Sequence, residues 1–160
     1  PFWEQPLDEI ERVIWTNYYG YVMLTRMVVP HMKERKQGHV VNITSGSVLV
    51  EPPPKNFIVY TSLKVGLRAF AKGLFWEMRD FGIKVTSIFP GVTKTPLTGK
   101  LKDIDDDRLM DPRDVAEAVV YALHAKENTS VLEISVINQQ TPWTKPVIPF
   151  KQDHPKGKGK

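Results

Sequence analysis

The 160-residue chain contains no cysteine, which excludes disulfide cross-links and every thiol nucleophile or thiolate ligand. That absence fits a reducing compartment, and a cytoplasmic location is the expectation. There is no run of eighteen apolar residues, so no membrane-spanning helix is expected in this segment. Histidine is scarce: His31, His39, His124 and His154 have no ligand-spaced partners, and the acidic run Asp103-Ile-Asp-Asp-Asp107 lacks a calcium-loop pattern. No metal site is therefore expected. Glycine is also sparing, at ten residues. Nowhere do glycines form the rich loop after a first strand that lets a helix N-terminus hold a pyrophosphate.

Charge is unevenly placed. The net charge of +4 is accounted for by Lys145, Lys151, Lys156, Lys158 and Lys160 against Asp153, which leaves residues 1–144 near neutrality. A nucleic-acid partner is therefore not expected. Residues 139–160 form a basic Pro/Lys/Gly-rich tail without periodicity, expected to be mostly flexible, with Trp143 and Ile148-Pro-Phe150 as the residues that would dock back. The 41% hydrophobic content suits one soluble globular unit.

Within residues 1–138 the pattern alternates helix, strand, helix, strand, loop, helix, strand, as in an α/β domain. Asp8 to about Lys36 reads as helix, with Leu24, Met27, Val28 and Met32 on one side. His39 to Thr44 is β-branched and apolar, as a buried parallel strand should be, and Ile83 to Phe89 repeats that character. Between them, Leu63, Leu67, Phe70, Leu74, Phe75 and Met78 recur at helical spacing until Phe81-Gly82 stops the helix. Asp111 is placed to cap a helix opening on Pro112. The stretch Val131-Leu-Glu-Ile134 reads as a last strand.

The chemistry-bearing residues sit at the ends of these strands. Tyr60 and Lys64 in Tyr60-Thr-Ser-Leu-Lys64 share a helix face. An ammonium one turn from a phenol favours the phenolate, so the tyrosine can give or take a proton nearer neutrality. Upstream, the strand runs into Ser45-Gly-Ser47, at the edge where open α/β sheets place their chemistry. The second strand ends in Pro90-Gly91-Val-Thr-Lys-Thr95, where Gly91 allows close backbone approach to a ligand and Thr95 offers a hydroxyl.

With Asn17-Tyr-Tyr-Gly20, Asn42-Ile-Thr-Ser45, Tyr60-Thr-Ser-Leu-Lys64 and Pro90-Gly91-Val-Thr-Lys-Thr95 in this order, the chain resembles the short-chain dehydrogenase/reductase family over nearly all of residues 7–137. Its flavour is similar to the serine/3-hydroxy acid dehydrogenase branch. The resemblance implies a Rossmann-like doubly wound parallel sheet. It also implies an oxidoreductase that moves a hydride between NADP or NAD and the carbonyl or alcohol group of a small substrate, with NADP preferred on branch similarity. Asn17, Ser45, Tyr60 and Lys64 would be catalytic, with Asn17 holding a relay water, Ser45 bonding the substrate oxygen and Tyr60 as proton donor or acceptor. Tyr60, Lys64, Pro90, Gly91, Val92 and Thr95 would contact the cofactor, the backbone near Val92 and the Thr95 side chain fixing its carboxamide. In the family the serine stands thirteen residues before the tyrosine, which here selects Ser47, whereas alignment along the strand selects Ser45. Strand register is the stricter constraint and favours Ser45, with Ser47 as the alternative.

The family's Asn-Asn-Ala-Gly stretch is absent, as is the phosphate loop. Pro1-Phe-Trp-Glu-Gln-Pro-Leu-Asp resembles the lead into the family's fourth helix. The expectation is thus the C-terminal catalytic part of a protein roughly 90 to 100 residues longer, with the N-terminal cofactor-binding strands missing and the fragment by itself inactive. Helices 10–35 and 57–80 would pair with their mates in a homodimer or homotetramer. A non-catalytic scaffold or regulatory member of the fold, and a same-fold epimerase or dehydratase, are the alternative functions.

Overall fold

The computed structural model describes residues 1–145. The Ile148-Pro-Phe150 stretch and the last lysines of the basic tail lie outside the described residues. Three parallel strands, β1 (Gly38–Ile43), β2 (Ile83–Pro90) and β3 (Glu133–Val136), lie side by side in chain order. They are joined by α3 (Ile58–Met78) and α4 (Pro112–Leu123), and preceded by α1 (Leu7–Ile14) and α2 (Gly20–Glu34). This is the expected α/β architecture with a parallel sheet.

The central strand carries the core. In β2 the consecutive residues Val85, Thr86, Ser87, Ile88 and Phe89 are all buried. Neighbouring side chains on a strand point to opposite faces, so both faces of β2 are covered. Register is fixed by pairs such as Asn42↔Ser87 and Ile88↔Ile134. The strand β3 starts two residues later than its sequence suggests, because the Val131 carbonyl accepts from the Thr86 hydroxyl (2.6 Å) and so stands outside the regular ladder.

Helix α3 buries Thr61, Lys64, Leu67, Ala71 and Met78, a stripe at three- and four-residue steps. The apolar series read from the sequence is split by this geometry. Leu67 and Met78 enter the core, whereas Leu63, Phe70, Leu74 and Phe75 are only half-buried. On α2, Leu24 and Met27 are exposed rather than packed on the sheet. Across the helix–sheet contact, the Arg68 guanidinium grips Glu133 with two bonds of 2.8 and 2.6 Å, Lys72 adds a third at 3.2 Å, and Arg68 lies over the Phe89 ring. The paired cations hold the Glu133 carboxyl below its ordinary range.

Two capping devices behave as the sequence predicts. The Asp111 carboxylate accepts from Arg113 N–H at 2.8 Å and opens α4 ahead of Pro112. Beyond α3, Gly82 takes a left-handed φ of 73°, and a Cβ there would overlap the Lys36 carbonyl, so only glycine fits the turn into β2. Within the acidic run, Asp105 bonds Arg108 (2.9 Å) and Asp103 bonds Lys145 (2.7 Å). Trp143 forms a bridge with Ile104 and packs edge-on against Phe57.

At the N-terminal edge of the sheet, His39 Nε2 lies 2.7 Å from Thr86 Oγ1, whose hydrogen goes to Val131. Thr86 must therefore accept, and His39 donates from Nε2. Burial, then the Lys84 charge, push its pKa below the ordinary 6.5. In the window beneath that value the folded chain binds fewer protons than the unfolded one, so stability is full above 6.5 and lost as pH falls through the lowered value. Urea unfolding across this range should show that decline, and the His39→Gln variant should flatten it. An unchanged slope in the variant would assign the decline to other groups.

Candidate active site

The helical segment that approaches α3 is interrupted by one π-helical turn, Trp15–Tyr19. Gly20 N–H reaches back five residues to the Trp15 carbonyl, and the Asn17 amide bonds the Val13 carbonyl at 3.1 Å. Such turns bend a helix and re-aim its side chains. Gly66 of α3 lets the two helices close up, since a Cβ there would stand 3.3 Å from the Tyr18 ring.

Lys64 occupies a position in the buried stripe of α3 and is only 5% exposed. Among the described residues its ammonium makes no ion pair. It faces two aromatic rings, Tyr60 at 5.5 Å and Tyr21 at 5.2 Å from the ring centroids. Burial lowers its pKa, which strengthens the influence of any negative or π-rich neighbour. The Tyr21 hydroxyl donates to the Ile43 carbonyl at 2.9 Å, tying α2 to the C-terminal end of β1. Burial, then the proximity of Tyr60, raise the Tyr21 pKa.

Two residues beyond Ile43, the Ser45 hydroxyl accepts from Ser47 N–H at 3.1 Å and opens a short 3-10 turn over Gly46–Leu49. Its own hydrogen remains available to donate. Among the described residues the buried Ser47 hydroxyl finds no hydrogen-bond partner, nor do Asn42 Nδ2 and Thr61 Oγ1. Gly46 lies against the end of β2, where a Cβ would come within 3.1 Å of the Pro90 carbonyl.

Beyond β2, Gly91 N–H bonds Val136 at 2.7 Å. The Asn138 side chain then clasps the Val92 backbone: its oxygen accepts from Val92 N–H (2.8 Å) while its nitrogen donates to the Val92 carbonyl (2.9 Å) and to Arg108 (2.8 Å). Gly91 has no Cβ to obstruct this approach. Thr95 is engaged locally, with its N–H on the Thr98 hydroxyl at 2.9 Å. The structure thus joins Tyr60, Lys64 and the end of β1 through Tyr21, while Thr95 sits in a separate threonine knot. Tyr21 and Asn138 carry no signal in the sequence pattern. A polar residue next to Asn17-Tyr-Tyr-Gly20 and an asparagine just past the last strand are the traces each leaves. Among the described residues no group of three or more acidic or histidine side chains is placed to hold a metal, and no helix is long and apolar enough to cross a membrane.

A parallel sheet in chain order with helices α3 and α4 crossing between its strands is a Rossmann-like arrangement. The family model described as short chain dehydrogenase matches residues 1–106, and the chain belongs to that family. It is 35% identical over 130 residues to an uncharacterized oxidoreductase of Staphylococcus aureus (strain N315), a match covering 81% of this chain and 55% of that protein. The fold is similar to serine dehydrogenase from Escherichia coli, with a TM-score of 0.72 at 28% identity, covering 85% of this chain and 56% of that one. It is similar also to ElxO with NADP bound, with a TM-score of 0.72 at 25% identity, covering 84% and 58%. The chain spans a little over half the length of these proteins.

Proposed function

We propose that the full-length protein is an NADP- or NAD-dependent reductase or dehydrogenase of small carbonyl or alcohol compounds, and that residues 1–138 are its catalytic part. The observation that carries this reading is the buried Lys64 ammonium beside the Tyr60 phenol. The Val92 backbone supports the cofactor class, because it already pairs with a primary carboxamide, that of Asn138, and a nicotinamide carboxamide would compete for the same N–H and C=O. When bound, the nicotinamide supplies or accepts the hydride. The NADP-bound relative is consistent with NADP.

The chain's own residues manage the proton. Ser45 donates its free hydrogen to the substrate oxygen, and its half-buried place suits that role better than the enclosed Ser47 hydroxyl. Tyr60 delivers a proton to that oxygen as the carbonyl is reduced, or withdraws one from the alcohol in the reverse direction. Lys64 sets its charge beside the Tyr60 ring and would bond the nicotinamide ribose hydroxyls. Asn17, held on the π-helical turn, steadies a relay water; Pro90, Gly91, Val92 and Thr95 form the backbone and hydroxyl wall on the cofactor side. The exposed Leu24, Met27 and Trp76 on the helices spanning 10–35 and 57–80 support pairing of subunits there.

The test is isotopic. The full-length protein incubated with NADPH or NADH carrying deuterium at both C4 positions of the nicotinamide and a panel of small ketones and aldehydes should deposit one deuterium on the product's carbinol carbon. Turnover that leaves the deuterium on the cofactor would point to the epimerase or dehydratase chemistry instead.

A further inference from the structure

The phenol of Tyr21 is not used by the proton transfer proposed above, yet it meets that machinery at two points. Its ring faces the Lys64 ammonium at 5.2 Å, on the same cation that faces the Tyr60 ring at 5.5 Å. Its hydroxyl is spent on the Ile43 carbonyl at 2.9 Å, two residues before Ser45. One side chain therefore sets the distance between α2, the end of β1 and the lysine of α3.

The other charged and titratable groups around Lys64 do not replace it. Tyr18 lies against Gly66. Arg68, one turn along α3, is committed to Glu133 of β3. On α1, Asp8, Glu9 and Glu11 are exposed, with Glu9 bonded to Arg12. The Gly46–Leu49 turn has no charged side chain, and in β2 the Lys84 ammonium is held by the carbonyls of Ala125 and Lys126. Lys64 is thus a buried cation faced by two phenol rings.

Building on the proposed function, we infer that Tyr21 is a positioning residue for the reaction: its ring and its anchored hydroxyl hold the Lys64 ammonium between two phenols, so that Tyr60 alone is the phenol that gives and takes the proton. A ring face stabilises a cation, most strongly where water is excluded. The charge kept on Lys64 lies beside the phenol that passes the proton, 5.5 Å from its ring centroid. Tyr21 itself is held neutral by burial and by Tyr60, and its hydrogen is already donated. Two like groups are thereby driven to different roles by their surroundings.

The experiment is the pH profile of alcohol oxidation by the full-length protein carrying Tyr21→Phe, Tyr21→Leu or Tyr21→Met, with melting curves for each. Loss of the ring should leave the Lys64 cation less stabilised, and so less able to balance the negative charge that forms on the phenol as the proton moves. In the Leu and Met variants the acid limb of kcat should therefore move to higher pH, with the proton concentration at its midpoint reduced about three- to tenfold. Tyr21→Phe keeps the ring but loses the bond to Ile43, and its midpoint should move less than theirs. The inference is overturned if the Leu or Met variant folds and keeps the wild-type midpoint, if the Phe midpoint moves as far as theirs, or if neither Leu nor Met variant folds while Phe does, which makes the role structural only. A limb that survives Tyr60→Phe removes the proposed reaction itself. A limb that depends on Tyr60 but ignores residue 21 removes this inference alone.

Discussion

Tyr60→Phe should lower turnover of the full-length protein by roughly a hundred- to ten-thousand-fold, the range set by loss of a positioned proton donor. Phenylalanine keeps the ring that faces Lys64 at 5.5 Å, so packing and the lysine's surroundings are preserved while the transferable proton is gone. The loss should fall on kcat, because the phenol acts on charge that develops as the carbonyl is reduced. Cofactor affinity, followed by NADPH fluorescence titration, should change little. Steady-state kinetics of the variant beside a melting curve give the answer. Turnover reduced less than about tenfold in a folded variant would remove Tyr60 from the proton transfer.

Phe89→Ala should be the most damaging single change to the fold, at about 3–5 kcal/mol. The side chain is 1% exposed on the central strand and lies under the Arg68 guanidinium, which Glu133 holds in place. Truncation leaves a cavity between α3 and the sheet that neither rigid element can close, and strips one wall from a paired cation. A loss of that size is a large part of the stability of an ordinary domain. It should appear in urea unfolding of the full-length protein as a lower midpoint at unchanged slope. A cost below about 1 kcal/mol would mean that the site relaxes around the gap. Phe89 also immediately precedes Pro90 and Gly91, so a folded variant should bind cofactor more weakly through a displaced loop.

Much of this architecture is legible in the residue order, because its determinants are local. The β-branched runs define β1 and β2, Asp111-Pro112 starts α4, and Gly82 stops the helical segment for a steric reason that no other residue satisfies. The Tyr60–Lys64 pair is legible for the same reason: four residues on a helix bring them to one face wherever the helix packs. What the sequence conceals is which face turns inward. The apolar series Leu63, Phe70 and Leu74 looks like the core stripe of α3, yet the stripe that enters the core contains Thr61 and Lys64. A lysine among core positions was the available signal, and its meaning depends on partners supplied by other elements. Tyr21 and Asn138 escape pattern reading altogether, since their bonds to Ile43 and to Val92 join residues far apart in the chain. The choice between Ser45 and Ser47 is likewise three-dimensional. One hydroxyl is ordered with a hydrogen to give, and the other is enclosed.

The side-by-side order of β1, β2 and β3 bears on how this part of the molecule assembles in time. Each strand pairs with the next one along the chain, and a single helix spans each crossing, so no pairing has to wait for a distant segment. The entropy of closing a loop grows slowly with its length, and rates of folding fall as contacting residues become more remote in sequence. A chain leaving the ribosome can therefore add α3 and β2 to β1, then α4 and β3 to that pair, in the order of synthesis. On this route α2 is ready to cover β1 before β2 is made, and Phe89 is in place before Asn138 has been made.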